Sequence, residues 1–188
     1  MRRPARPVLV ALAALAAAVL AGPAPAKGPF GWFKAAPAPK GWAQIALPSG
    51  AAVLSYPPGF QRASGDPGTL TAELRDRAGT ITGYLNATPR QGNETLRNWP
   101  DFRVDHQRDE ETAIHEEARM FGLAFRGGTG SCVIDHYVTP TKSHAYREIA
   151  CFVVGRHGGS VIVAAAPPAL WNTVGKQLEQ ALSAYTVR

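Results

Sequence analysis

The chain has 188 residues, with 20 basic and 14 acidic side chains and a formal net charge of +6 at pH 7. This length fits one domain with a short additional segment, and it is enough to bury a sizeable hydrophobic core. Lysine and arginine form no dense block with interleaved aromatic residues, so we expect no nucleic-acid partner.

The N-terminus has the three parts of a secretory signal peptide. Arginines near the start are followed by an uninterrupted apolar run over residues 8–21 and by Ala-Pro-Ala at 24–26, where small residues permit cleavage. The run is shorter than the ~20 residues that a membrane-spanning helix needs. We therefore predict a signal peptide over 1–26. The mature chain would be extracellular or periplasmic, would carry a net charge of +3 and would lack a transmembrane segment.

Residues 27–41 are rich in glycine, proline and alanine, a composition that is typical of a linker. The folded domain is then expected over 42–188. Phe30, Trp32 and Phe33 lie within the predicted linker and are candidates for docking on a partner. The alternative is that these three aromatic side chains pack on the protein's own surface.

The first half of the domain predicts strands and one helix. Four short apolar or alternating segments, separated by turn residues, predict strands over 42–47, 51–56, 70–74 and 80–86. A helix is expected to begin at Asn93 and to break or restart at Pro100. The charged segment 101–111 predicts a solvated helical face, and a further strand is expected over 113–125.

The last third predicts three antiparallel strands and a terminal helix. The strands are expected over 132–138, 146–154 and 160–165, and their short connections make them neighbours in one sheet. After Pro168, apolar residues recur at helical spacing on one face, with polar residues opposite. This amphipathic helix should pack on the sheet.

Cys132 and Cys151 are the only cysteines, and in an exported protein an even pair favours a disulfide. A strand register that pairs them directly also sets Asp135 opposite Glu148, which is unfavourable. A slip by one residue relieves this repulsion but turns the cysteines to opposite faces. We favour the disulfide, and a bulge or a nearby cation would then have to accommodate the two carboxylates.

Two segments resemble the PsbP/Mog1-like family. Residues 54–60 (LSYPPGF) are similar to the strand ending in Tyr-Pro-x-Gly-aromatic near the start of these domains, and 146–187 resemble their C-terminal end. The resemblance implies an α+β fold, an antiparallel sheet with helices packed on it in an α/β/α sandwich, over about 42–188. The family is known for non-enzymatic roles in photosystem assembly and GTPase binding. No residue of a functional motif can be matched here, so neither role transfers.

The sequence contains no motif that assigns a catalytic, cofactor or metal site. One alternative is a small secreted hydrolase using His136 with Asp135 or Glu148, but adjacent residues of a strand face opposite sides of the sheet. A sheet-face ion pair of His136 with Arg147 or Glu148 is the preferred interpretation. A surface metal site of His115, Glu117 and a loop histidine is a further alternative.

The leading hypothesis is therefore a secreted, non-catalytic domain that binds a protein or another component in or outside the cell envelope. The hydrolase is the second hypothesis. The third is a module that binds a small molecule or metal in the groove between the terminal helix and the sheet.

Overall fold

A computed structural model describes residues 28–141 and 143–188, so the predicted signal peptide lies outside the described residues. Two antiparallel sheets and two helices make up the fold. The strands are β1 (Ala43–Ala46), β2 (Ala52–Tyr56), β3 (Gln61–Ala63), β4 (Leu70–Arg75), β5 (Ile81–Pro89), β6 (Thr112–Phe125), β7 (Gly128–Val138), β8 (Ala145–Gly155), β9 (Gly158–Ala166) and β10 (Thr186–Val187). The helices are α1 (Trp99–Glu110) and α2 (Trp171–Ala184), the latter preceded by a 3-10 turn over Pro168–Leu170.

The strands form a seven-stranded sheet in the order β3-β4-β5-β9-β8-β7-β6 and a three-stranded sheet in the order β1-β2-β10. Helix α2 packs on one face of the large sheet and also contacts β2 of the small sheet. Helix α1 packs on the other face, against β6, β7 and β8. This arrangement confirms the predicted α+β class with helices on both faces. No helix in the described ranges is long and apolar enough to cross a bilayer.

Strand alternation gives the large sheet two different faces. Cys132, Ile134 and Ile149 point towards α2 and join a core that includes Leu178 and Leu182 of that helix. The intervening residues point towards α1 and form a second, smaller cluster around Trp99. Because side chains of a strand alternate in direction, this division follows directly from the register of β7 and β8.

Helix α1 begins later than the sequence predicts. The expected start at Asn93 is wrong, because the helix begins at Trp99 after a turn over residues 96–98. The Asn98 side chain accepts hydrogen bonds from the backbone and hydroxyl of Thr95. Pro100 lies in the first turn, where a missing N–H costs nothing, rather than breaking the helix. Trp99 anchors this end: it is buried, and its indole N–H donates to the carbonyl of Ala150 at 3.0 Å.

Residues 28–41 belong to the folded unit, which corrects the predicted linker and the domain boundary at 42. Phe30 is buried in the main core, and the rings of Phe33 and Phe125 lie 4.7 Å apart. The backbone N–H of Ala36 donates to the carbonyl of Ser183 at the end of α2. The composition resembles that of a linker, but its aromatic side chains gain more by burial against α2 and β6 than by exposure to water.

The predicted disulfide is present, and the direct register is the one adopted. Cys132 and Cys151 are bonded and paired across β7 and β8, and both are buried. The same register pairs Ile134 with Ile149, and it sets Asp135 opposite Glu148. The repulsion between these carboxylates is therefore accommodated within the fold and not avoided by a slip.

Removing the disulfide should lower stability without changing the fold. The bond closes a loop between residues that are 19 apart, which corresponds to about 3 kcal/mol in the chain-entropy description. We expect the double variant Cys132→Ala/Cys151→Ala to lose roughly that amount in urea unfolding. Dithiothreitol should destabilise the wild-type protein similarly and leave the double variant unchanged. Equal wild-type unfolding curves with and without the reductant would contradict the assignment.

Candidate functional site

The buried carboxylates of Asp135 and Glu148 lie side by side beneath α1. Both side chains are almost completely inaccessible to solvent, at 0% and 1% exposure. They sit on the face of the sheet opposite the disulfide, because each is one position away from a core-facing isoleucine. Two ionised carboxylates on directly paired residues in the interior would repel strongly, so at least one of them needs a nearby cation or a bound proton.

Arg103 supplies the cation for Glu148. From α1, its Nε donates to Oε1 of Glu148 at 2.7 Å and its Nη2 donates to Oε2 at 2.9 Å. This bidentate geometry is the strongest arrangement available to a guanidinium and a carboxylate. The charge of Glu148 is therefore balanced locally, and α1 is tied to β8 by a buried ion pair.

A proton neutralises Asp135 instead. Neither of its carboxyl oxygens has a hydrogen-bond partner among the described residues. Burial raises the pKa of Asp135 from 3.8 to about 8, and the charge of Glu148 adds to the increase while that of Arg103 opposes it. At neutral pH Asp135 is thus mainly an uncharged acid, and the pair carries one negative charge, which Arg103 balances.

Beside this buried group the sheet opens into a cleft of about 510 Å³, a volume that suits a small ligand. Its floor is the α1-side face of β4, β5, β9, β8 and β7, and its walls are α1 and the loop that contains Asp66. Glu148 and Arg103 form its inner end. We refer to it as the α1-side cleft.

Three tyrosines give the α1-side cleft an aromatic floor. Tyr137 and Tyr146 are cross-strand neighbours whose rings stack at 5.7 Å, and Tyr84 lies on β5. Burial raises the pKa of all three, so they remain neutral phenols at physiological pH. Beside them, the Asn86 side-chain amide donates to the hydroxyl of Thr71 at 3.0 Å.

The cleft is on the face opposite to the one predicted. The sequence suggested a groove between the terminal helix and the sheet, but that space is filled by Val174, Leu178, Ala181 and Leu182, all of which are buried. A strongly amphipathic helix closes tightly on an apolar sheet face. The shorter and more polar α1 covers only part of its own face and leaves the cleft beside it.

His136 does not meet Asp135 or Glu148. It lies on the α2-side face of the sheet, where its Nε2 is 3.0 Å from Oε2 of Glu117. Arg147, its cross-strand partner, donates to both oxygens of the same Glu117. His136 is therefore part of a sheet-face ion pair, as expected, but the predicted partners are wrong: its carboxylate partner is Glu117 of β6, and Arg147 binds that same carboxylate. The pairing that the hydrolase hypothesis requires is wrong, because Asp135 and Glu148 face the other side.

The hydrogen bonds from its two partners stabilise the ionised form of the Glu117 carboxylate. Hydrogen bonds from Arg147, and a weaker one from His136, hold the pKa of Glu117 down at about 2 although partial burial opposes this. The guanidinium of Arg147 also lies 4.2 Å from the ring centre of Trp171 at the start of α2. This cation–π contact helps to hold the Arg147 side chain in place. Through Glu117 on one side and Trp171 on the other, Arg147 of β8 therefore links β6 to α2.

The structure brings only some residues of the predicted surface metal site together. The rings of His115 and His136 lie 6.2 Å apart, and Glu117 is adjacent, but Arg147 occupies both oxygens of that carboxylate. Over residues 28–141 and 143–188 there is no group of three or more side chains placed to hold a metal ion.

The aromatic docking candidates contact the protein's own core. Phe30 is only 4% exposed, and Trp32 and Phe33 are half-buried against the same cluster. This arrangement matches the alternative interpretation, packing on the domain itself, because Phe33 contacts Phe125 and Trp32 contacts Phe33 edge to face. Docking through these side chains would require them to leave that contact.

Arg103 and the three tyrosines, which make the cleft, were not among the residues predicted from the sequence. A signal for the tyrosines was present: alternation from Asp135 places Tyr137 on the same face, and the direct register sets Tyr146 opposite it. No comparable signal existed for Arg103, because α1 has no clear apolar stripe that predicts which side faces the sheet.

No protein-family model and no curated protein matches this sequence. Solved structures do match: PA94 from Pseudomonas aeruginosa, a protein of unknown function, has 12% identity and a TM-score of 0.53, covering 78% of this chain and 97% of that one. CyanoP, the PsbP of the cyanobacterium Synechocystis sp. PCC 6803, has 11% identity and a TM-score of 0.54, covering 78% and 92%. The fold is PsbP-like. This agrees with the fold implied by the resemblance, and at such identities the comparison concerns the fold alone.

The protonated state of Asp135 predicts a specific dependence of stability on pH. Between its ordinary pKa of 3.8 and its folded pKa of about 8, the unfolded chain is ionised here and the folded protein is not. Folding therefore binds a proton at Asp135, and the contribution of this one carboxyl group to stability is greatest below pH ~4 and is lost as the pH rises towards about 8. Asp135→Asn removes a slope of up to about 1.4 kcal/mol per pH unit.

Urea unfolding at about pH 4, 6 and 8 measures this effect. We expect Asp135→Asn to gain stability over the wild-type protein progressively as the pH rises. Asp109→Asn, which removes an exposed carboxylate from α1, serves as the control and should follow the wild-type curve. Parallel curves for wild type and Asp135→Asn would mean that Asp135 is ionised in the folded protein.

Proposed function

We propose that this protein is an exported, non-catalytic PsbP-like domain that binds a partner in or outside the bacterial cell envelope through the α1-side cleft. The observation that carries the proposal is the cleft itself, a concave polar surface built on a rigid sheet and closed at its inner end by the Arg103–Glu148 pair. Concave sites with a few convergent polar groups are where proteins bind ligands.

Export is supported by two independent features. The N-terminal pattern over 1–26 has the order of charged, apolar and small residues that secretion signals use. The Cys132–Cys151 disulfide is typical of proteins that fold in an oxidising compartment. The extracellular or periplasmic location is part of the proposal.

The non-catalytic assignment is supported by how the reactive side chains are used. His136 is held by Glu117 on the far side of the sheet from the cleft. The hydroxyl of Ser131 donates to the carbonyl of Leu96 rather than facing a histidine. Within the cleft, Glu148 is held by Arg103, so its carboxylate is engaged rather than poised as a base.

Affinity capture from the envelope fraction of the producing bacterium tests the binding role. Ser64 is an exposed residue at the cleft, so Ser64→Trp should obstruct it without disturbing the core. Gln180→Trp places the same bulk on the exposed side of α2 as a matched control. We expect one partner to be recovered with the wild-type protein and Gln180→Trp and to be lost with Ser64→Trp. Equal recovery with all three would place binding elsewhere.

Assays on ester, peptide and glycan substrates test the non-catalytic role. We expect no turnover above background for the purified protein, with His136→Ala indistinguishable from it, because His136 faces away from the cleft. Turnover that disappears specifically in His136→Ala would establish an enzyme and overturn this part of the proposal.

A further inference from the structure

The charges around the α1-side cleft are not balanced. Arg103 and His106 are its only cationic or potentially cationic lining residues in the described part of the chain, and Arg103 donates to Glu148 through Nε and Nη2. Glu73 at the cleft is likewise paired, since Arg75 donates to its carboxylate through Nε at 2.9 Å. The charge of each of these two guanidiniums is thus balanced by a carboxylate of the protein, which disfavours an anionic ligand.

Two carboxylates at the rim remain without such a partner. Asp66 on the loop between β3 and β4, and Glu110 at the end of α1, line opposite sides of the cleft. Across residues 28–141 and 143–188, neither forms a salt bridge with a lysine or arginine, and Glu110 has only His106 at 3.6 Å. The mouth of the cleft therefore carries negative charge, which attracts cations from solution.

Some of the neutral polar side chains that line the cleft are used within the protein. The Asn86 amide donates to Thr71, and the hydroxyl of Thr69 donates to the backbone carbonyl of Asp66. What the floor offers a ligand is the surface of Tyr84, Tyr137 and Tyr146. Neutral phenol rings attract cations through their electron-rich faces, and this attraction increases when water is excluded.

We propose that the α1-side cleft binds a cationic group, a primary amine or a guanidinium, with the charge between Asp66 and Glu110 and its aliphatic stem over the tyrosines. This names the ligand class for the site of the proposed function and rests on that proposal. The group can come from a free polyamine or from a basic side chain of a peptide. Both sources share the same chemistry, a positive charge on a flexible apolar stem.

Titration of the purified protein by two-dimensional NMR tests the inference, with spermidine and a capped tetralysine peptide as separate probes. We expect at least one probe to shift amide signals of the cleft, and binding should weaken as salt is added. Binding of spermidine alone would identify a free polyamine as the source. Binding of tetralysine alone would identify a basic peptide.

Charge variants test whether Asp66 and Glu110 make the site. Asp66→Asn/Glu110→Gln should weaken binding of the probe about tenfold, the effect of removing two exposed ion pairs. Asp109→Asn, on the same helix but outside the cleft, should leave it unchanged. Equal affinities for the double variant and the wild-type protein would overturn the inference. So would the absence of shifts with both probes, or salt-independent binding of a neutral oligosaccharide in their place.

The capture experiment distinguishes this inference from the proposed function. If Ser64→Trp abolishes capture of the envelope partner but neither cationic probe binds, the cleft is a binding site and its ligand is not a cation. If tetralysine binds as expected and capture is unaffected by Ser64→Trp, the ligand class stands and the proposed envelope partner uses another surface.

Discussion

The register of β7 against β8 is the constraint on which the rest of the structure depends. The disulfide between Cys132 and Cys151 requires that the two strands pair residue for residue, because a slip by one position would turn the sulfurs to opposite faces. The same pairing sets Asp135 against Glu148 in the interior. Two carboxylates in that environment are tolerated only with a cation and a proton. Helix α1 brings the cation as Arg103, and Asp135 retains the proton.

This constraint also explains why α1 lies where it does. Removing either partner of a buried ion pair leaves an uncompensated charge, so the Arg103–Glu148 pair specifies the position of the helix even where its net contribution to stability is small. Trp99, one turn before Arg103, fixes the first residue of the helix by burial and by its hydrogen bond to Ala150. Between them, these two contacts hold a helix with little amphipathic character against the sheet, and the uncovered part of that face becomes the cleft.

The two faces of the large sheet therefore have different uses. The face under α2 is apolar and closed, with the disulfide and the aliphatic core in it, and its edge carries the Glu117 bridge between His136 and Arg147. The face under α1 holds the smaller hydrophobic cluster around Trp99 and, beside it, is polar and open at the cleft. In a domain of this size, the closed face supplies most of the hydrophobic stabilisation, which leaves the other face available for recognition.

The sequence by itself determined the features that depend on local pattern. Alternation and short connections predicted β7, β8 and β9, helical spacing predicted α2, and cysteine pairing predicted both the disulfide and the conflict at Asp135 and Glu148. The tertiary structure decided everything that depends on which surfaces meet. It set the start of α1 and the choice of Arg103 as the cation, it buried Phe30 in a segment with a linker's composition, and it placed the cleft on the face opposite α2. Local propensity is read along the chain, whereas burial and charge compensation arise only when distant segments pack together.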